Sequence, residues 1–182
     1  MHRRPLLELL SRYVPSGDDD ARARDRIAAF VRENEGCFER SLLVGHVTAS
    51  VWIVDRERTH ALLTHHRKLG RWLQLGGHTD GDADVLRAAM REAVEESGLA
   101  SLAVVDAGIF DCDVHRIPAR GAEPEHDHHD VRFLLEADRD EPFIVSDESH
   151  DLRWVALEAI EQLEPDASVM RMVAKTVRSA RP

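Results

Sequence analysis

Cysteine is scarce in this chain. Its two residues, Cys37 and Cys112, stand far apart in 182 positions and have no C-x-x-C or zinc-finger spacing. That excludes a disulfide framework and fits a reducing compartment. Long hydrophobic runs are missing as well: nothing approaches the roughly 18 apolar residues of a membrane span. The opening MHRRPLLELLSRYVPSGDDD has an apolar run of only a few residues, too short for an export signal. The expectation is a soluble, cytoplasmic protein with no membrane partner. Positive charge is also in short supply, with 24 Lys and Arg against 34 Asp and Glu and a net charge of −10. General nucleic-acid binding is therefore not expected, and a phosphate-bearing substrate would have to be met by local cations or a bound metal. Internal repeats and low-complexity tracts are absent. GGHTDGD lacks the G-x-G-x-x-G spacing, which argues against a dinucleotide-binding Rossmann domain.

What is present suffices for one domain with terminal additions, since 43% of the residues are hydrophobic. Leu6, Leu7, Leu9, Leu10 and Tyr13 form a short amphipathic helix that stops at Pro15 and Gly17. A second helix starts at Asp18-Asp19-Asp20, whose carboxylates suit a helix N-terminus, turns Ile27, Ala28, Phe30 and Val31 inward, and ends at Gly36. From His46 the period changes. HVTASVWIVD and HALLTHH read as a β-hairpin joined by RERT, RKLGRW as a loop, and Asp84 to Ser97 as a helix with Leu86, Ala89, Met90, Ala93 and Val94 on its core face. Gly98 is the left-handed stop. SLAVVDAGIFDCDVH and HHDVRFLLEA read as strands separated by the polar loop RIPARGAEPEHD. SHDLRWVAL is a short strand leading into a helical turn, and SVMRMVAKTVRSA a last helix. Strands on both sides of a central helix make the fold α+β. The boundaries drawn are an N-terminal helical extension, 1–41, and a main domain, 42–182.

The chemistry concentrates in GGHTDGDADVLRAAMREAVEESGL. Glu92, Glu95 and Glu96 stand at i, i+3 and i+4, so Glu92 lies beside both others on the helix. Three like charges repel one another. A divalent cation relieves that repulsion, and such a cluster offers several hard oxygen ligands of the kind Mg²⁺ and Mn²⁺ take. Arg91, four residues before Glu95, can hold a carboxylate in one rotamer. The glycine-rich loop before the helix lets backbone carbonyls approach a ligand closely. The competing reading is an ordinary solvated acidic helix face.

This segment resembles a Nudix box: G, five residues, E, seven residues, then R-E-U-x-E-E-x-G-U with U aliphatic. Counting from Gly77, the chain supplies Arg91, Glu92, Ala93, Glu95, Glu96, Gly98 and Leu99 at the matching offsets, and departs once, with Ala83 in place of the first glutamate, between Asp82 and Asp84. That glutamate mainly braces the loop against the helix in the family, so Ala83 bears on loop geometry more than on metal binding. The order of elements from Leu42 to Ala180 is similar to the Nudix αβα sandwich with a mixed sheet, and HHRKLGRWLQLGGHTDGD resembles a subgroup with GGH in its loop.

The resemblance implies a Mg²⁺-dependent pyrophosphohydrolase, with Mn²⁺ an alternative ion, cleaving a diphosphate linkage in a nucleoside diphosphate derivative or nucleotide. Glu92, Glu95 and Glu96 would be metal ligands and catalytic groups, Glu92 also a candidate base, and the Gly76 carbonyl a further ligand. Glu148, in VSDESHDLRW, is the candidate for a late-loop catalytic carboxylate, ahead of Asp147. Arg67, Lys68 and Arg71 could engage phosphates, His78 a substrate group, and Trp72 a base, although a core or interface tryptophan is the commoner reading. Nudix domains are often homodimers, and the N-terminal helices could supply an interface. Two alternatives stand beside this: a non-catalytic ligand-sensing Nudix domain, and an isopentenyl diphosphate isomerase-like enzyme, which requires a reactive cysteine before the box.

Histidine is the second unusual feature. Period two puts Asp111, Asp113 and His115 on one strand face, and His126, His128 and Asp130 on another. If those strands pair, the rows could form a second metal or polar site; the plainer expectation is an exposed polar sheet edge.

Overall fold

The computed structural model describes residues 1–121, 123–147 and 149–179. The elements are α1 (Arg4–Arg12), α2 (Asp18–Glu33), β1 (Gly45–Asp55), β2 (His60–His66), β3 (Arg71–Leu73), β4 (Leu75–His78), α3 (Val85–Ser97), β5 (Ala103–Val104), β6 (Asp111–Ile117), β7 (His126–Ala137), β8 (Ser149–Ala156), a 3-10 helix (Leu157–Leu163) and α4 (Ala167–Ser179). The class is α+β, as expected. No described helix is long and apolar enough to cross a membrane. The chain divides into two compact units, the first made of Met1–Ser50, Gly77–Met90 and Ala107–Phe133, the second of Val51–Gly76, Arg91–Asp106 and Leu134–Pro182.

In the first unit β6 and β7 form an antiparallel ladder pairing Asp111 with Arg132, Asp113 with Asp130, His115 with His128 and Ile117 with His126. Helix α2 packs on β6. Leu6, Leu10, Ile27, Val31, Cys112, Val131 and Phe133 are buried. The aspartates that open α2 do more than face the helix dipole. Asp20 is buried, and its carboxylate accepts the Tyr13 hydroxyl at 2.7 Å and the Ser16 N–H at 2.8 Å. The helix also stops earlier than Gly36: its last residue is Glu33, and the Asn34 amide caps the Phe30 carbonyl at 2.9 Å.

In the second unit β2 is paired on both sides. It pairs antiparallel with β1 through Ile53↔Leu62, with β3 through His65↔Trp72, and with β8 through Leu62↔Trp154, with a bulge at His65/His66. The expected hairpin is present. Asp55 shapes its turn by accepting the N–H groups of Thr59 at 2.7 Å and His60 at 2.9 Å. These bonds hold the Asp55 carboxyl below its ordinary range, although burial pushes the other way. The Trp52 indole donates to the Thr176 hydroxyl of α4 at 2.9 Å.

Three readings of the sequence change. β3 and β4 are strands inside what reads as loop. SLAVVDAGIFDCDVH is two strands, β5 and β6, interrupted at Val105–Phe110. The buried face of α3 is Val85, Ala88, Ala89 and Ala93, while Val94 is exposed and Leu86 and Met90 are only half-buried.

Candidate active site

The loop before α3 is built by short polar bonds within the first unit. The Thr79 hydroxyl donates to the Phe38 and Val47 carbonyls, and the Asp82 N–H closes a turn onto the Thr79 carbonyl at 2.9 Å. Asp82 then accepts the Asp84 N–H at 2.9 Å and binds the Arg87 guanidinium with both oxygens, at 2.6 and 2.8 Å. Asp84 caps α3, its carboxylate accepting the Arg87 N–H at 3.1 Å. Ala83 lies between these two aspartates. Both of its neighbours brace loop to helix, so local geometry is held from either side of the missing carboxylate. Asp84→Ala removes the cap and is expected to cost about 1 kcal/mol of stability, read as a lower midpoint in urea unfolding with an unchanged slope.

The carboxylates of α3 stand in the second unit. Glu92 accepts a hydrogen bond from Arg91 at 2.8 Å, and Glu95 lies 4.0 Å from the same guanidinium. The expected brace is therefore present, but its close partner is the adjacent Glu92 rather than Glu95 at i+4. Glu95 is exposed, with 63% of its side chain accessible. Glu96 is buried, and its carboxylate accepts the Gly76 N–H at 3.1 Å. Gly76 has φ +146°, a conformation that side chains disfavour. A backbone amide of β4 thus meets the last carboxylate of REAVEE. Three carboxylates stand at neighbouring positions along α3, one of them accepting a glycine backbone N–H.

Gly98, at φ +68°, ends α3 as expected. Arg67 and Lys68 lie in the exposed turn between β2 and β3, and Arg71 opens β3, also exposed. Arg67 donates to the Ser149 carbonyl at 3.1 Å. Trp72 stacks on His65 with ring centroids 5.1 Å apart, and Arg153 lies 5.0 Å over its ring. Glu148 lies outside the described residues.

His78 has different company. Its ring centroid is 4.9 Å from that of His46 and 5.2 Å from that of His128. His126 is 5.0 Å from His46, and His115 is 5.4 Å from His128. The two polar rows do meet, through the β6–β7 pairing, and of their six residues His115 is exposed as expected while the others are half-buried or buried. Asp111, Asp130 and His126 are buried, and the fully buried Arg132 binds Asp130 at 2.7 Å, Asp111 at 3.2 Å and Asp113 at 3.4 Å. Burial would strip the Arg132 proton, but the three carboxylates outweigh it and raise its pKa. Burial, then neighbouring imidazoles, push His46 down to about 4 and His128 down to about 2, and burial, then the Arg40 charge, lower His78. His46 went unnoticed in the sequence because a lone histidine in an apolar strand carries no periodic signal.

The NUDIX domain model matches residues 44–176. The chain belongs to the Nudix hydrolase superfamily. Solved structures agree on the Nudix fold. A C. elegans Ap4A hydrolase binary complex is 19% identical with a TM-score of 0.59, covering 73% of this chain and 96% of the other. A Clostridium perfringens hydrolase of the NUDIX family is 22% identical at TM-score 0.54, covering 74% and 97%. The E. coli dihydroneopterin triphosphate pyrophosphohydrolase is 16% identical at TM-score 0.56, covering 73% and 95%. Among curated proteins nothing matches. This Nudix hydrolase therefore has the expected α+β Nudix fold, preceded by its two N-terminal helices.

Proposed function

We propose that this Nudix hydrolase is a Mg²⁺-dependent pyrophosphohydrolase that cleaves a diphosphate linkage in a nucleoside diphosphate derivative or nucleotide. The observation that carries this is the Glu96 carboxylate bonded to the Gly76 N–H at 3.1 Å, which joins the glycine loop to the REAVEE turn. Glu92, Glu95 and Glu96, with the Gly76 carbonyl, would hold the ion. A bound divalent ion would neutralise phosphate oxygens and lower the pKa of a coordinated water.

The chain's own part is to position and to balance charge. Arg91 keeps the Glu92 carboxylate in one rotamer and Gly76 fixes Glu96, so less reorganisation is left for the moment of binding. Glu92 is the candidate base, and Glu148 the candidate late-loop carboxylate. Arg67, Lys68 and Arg71 put local positive charge at one turn of a chain that is otherwise strongly acidic, where a phosphate could be met. His78, the fourth substrate-binding candidate, faces imidazoles. Within the fold family, one neighbour is named for Ap4A hydrolysis and another for pyrophosphohydrolysis of dihydroneopterin triphosphate, which supports a small phosphorylated substrate.

The isomerase alternative needs a reactive thiol. Cys37 and Cys112 are both buried, and burial pushes the Cys37 thiol up to about 11. The sensing alternative makes a different forecast from ours. Purified protein should turn over at least one member of a panel of nucleoside diphosphate sugars, dinucleoside polyphosphates, ADP-ribose, NADH and nucleoside triphosphates, with Mg²⁺ and not with EDTA. Tight binding without any turnover would support the sensor.

A further inference from the structure

His46 is 1% exposed, and neither of its ring nitrogens makes a hydrogen bond of good geometry, the Leu42 backbone being a weak partner at most. Leaving a buried polar atom unpaired costs about 1–3 kcal/mol, so a native imidazole in that position calls for a partner of another kind. The geometry around it supplies one. Each of His46, His78 and His128 offers a ring nitrogen, and the three nitrogens lie within 4.8 Å of one another. No other set of three His, Cys, Asp or Glu side chains converges in this way among the described residues.

We propose that His46, His78 and His128 bind a transition-metal ion of the Zn²⁺ class, at a site separate in ligand chemistry from the carboxylates of α3. Three imidazoles suit zinc, cobalt or nickel, whereas hard oxygen donors suit magnesium. The three residues come from the start of β1, the end of β4 and the start of β7. Gly45 makes their approach possible. At φ +150° it lies so close to β7 that a Cβ there would stand 2.6 Å from the Asp127 carbonyl oxygen, which brings the next residue, His46, beside His126 and His128. His126 adjoins the arrangement: its Nδ1 meets the Pro124 carbonyl at 2.9 Å, and its Nε2 is 3.3 Å from the His128 Nε2. When Nδ1 donates to a carbonyl, the Nε2 lone pair is free to act as an acceptor, a pattern typical of metal-bound histidine. Two ligand nitrogens at ~2.0–2.1 Å from a tetrahedral ion lie roughly 3.3 Å apart; His126 lies at that distance from His128 but outside the three rings that converge. Because His78 directly follows Gly76-Gly77, the ion would clamp the first residues of the box loop to β1 and β7.

The test uses the full chain, stripped with a chelator, reloaded with zinc or cobalt and dialysed. Metal analysis should find a single tightly held zinc per chain in the wild type and in Glu95→Gln/Glu96→Gln, with affinity at least tenfold weaker in His46→Gln/His128→Gln. Should that histidine variant fail to fold, the wild type decides alone. Its zinc X-ray absorption should show imidazole scattering, and its cobalt form the visible bands of a tetrahedral nitrogen site. A wild type that retains no zinc, an oxygen-only shell, or zinc lost with the glutamate variant and kept by the histidine variant would overturn the assignment.

Discussion

Glu96→Gln and Glu95→Gln are each expected to lower Mg²⁺-dependent hydrolysis by about a thousandfold or more, which corresponds to ~4 kcal/mol of lost transition-state stabilisation. Both variants should still fold. Glutamine is nearly isosteric with glutamate, and its carbonyl oxygen can go on accepting the Gly76 N–H that Glu96 accepts at 3.1 Å. What disappears is a negative, hard oxygen ligand. The two positions differ in a useful way: Glu95 is exposed while Glu96 is buried. A loss at Glu96 alone could reflect a disturbed loop, but a matching loss at exposed Glu95, with unchanged circular dichroism and melting, would be chemical in origin. Full activity in both variants would sink the assignment of these glutamates.

Arg132→Met should have the largest effect on stability. Arg132 is 2% exposed and lies among Asp111, Asp113 and Asp130. Asp130 also accepts the hydroxyls of Thr48 at 2.9 Å and Ser50 at 2.8 Å. Removing this guanidinium takes away a cation that the buried Asp111 and Asp130 and the part-buried Asp113 share. Breaking a buried pair in this way costs about 3–5 kcal/mol, against a total stability of about 5–15 kcal/mol for a typical domain. The pH dependence follows from the sign of the shift. Without arginine the buried carboxyl groups favour their neutral form, so their folded pKa values rise above the unfolded value of about 3.9. Their contribution is then present at low pH and lost as pH rises. The variant should therefore lie closer to the wild type at pH ~4 than at pH ~7. Urea titrations at both values measure this, and an equal deficit at the two would show that the carboxylates are not the cause.

The parts of the molecule that were legible from sequence are those where the signal is local. Helix α3 announces itself by apolar spacing, by Asp84 before it and by Gly98 after it, and the glutamates of REAVEE stand at helical neighbours whatever the rest of the chain does. The β1–β2 hairpin is equally local, since Asp55 and Thr59 make its turn. The missed elements are short: β3 has three residues and β4 four, too few for alternation to show, and β4 contains two glycines. On α3 the buried Ala89 and Ala93 were legible, but Val85 and Ala88 were not, because an alanine carries little hydrophobic weight beside Leu86 and Val94.

The histidine cluster was out of reach for a different reason. His115 faces His128 only because β6 and β7 pair in one register, and His46 joins them from a strand about 80 residues earlier. Helix α2, remote from the box in sequence, packs on that ladder through β6. Phe30 of α2 stacks on His129 with ring centroids 3.8 Å apart, so part of the expected exposed edge is covered, while His115 stays exposed.

The most direct test of the central claim is hydrolysis in ¹⁸O-water. With Mg²⁺ and whichever panel compound is turned over fastest, mass spectrometry should find ¹⁸O in a phosphoryl product, as attack by water on phosphorus requires, and EDTA or Glu96→Gln should remove that signal. Products formed without ¹⁸O on any phosphoryl group, or labelling that survives EDTA and the substitution, would contradict the account.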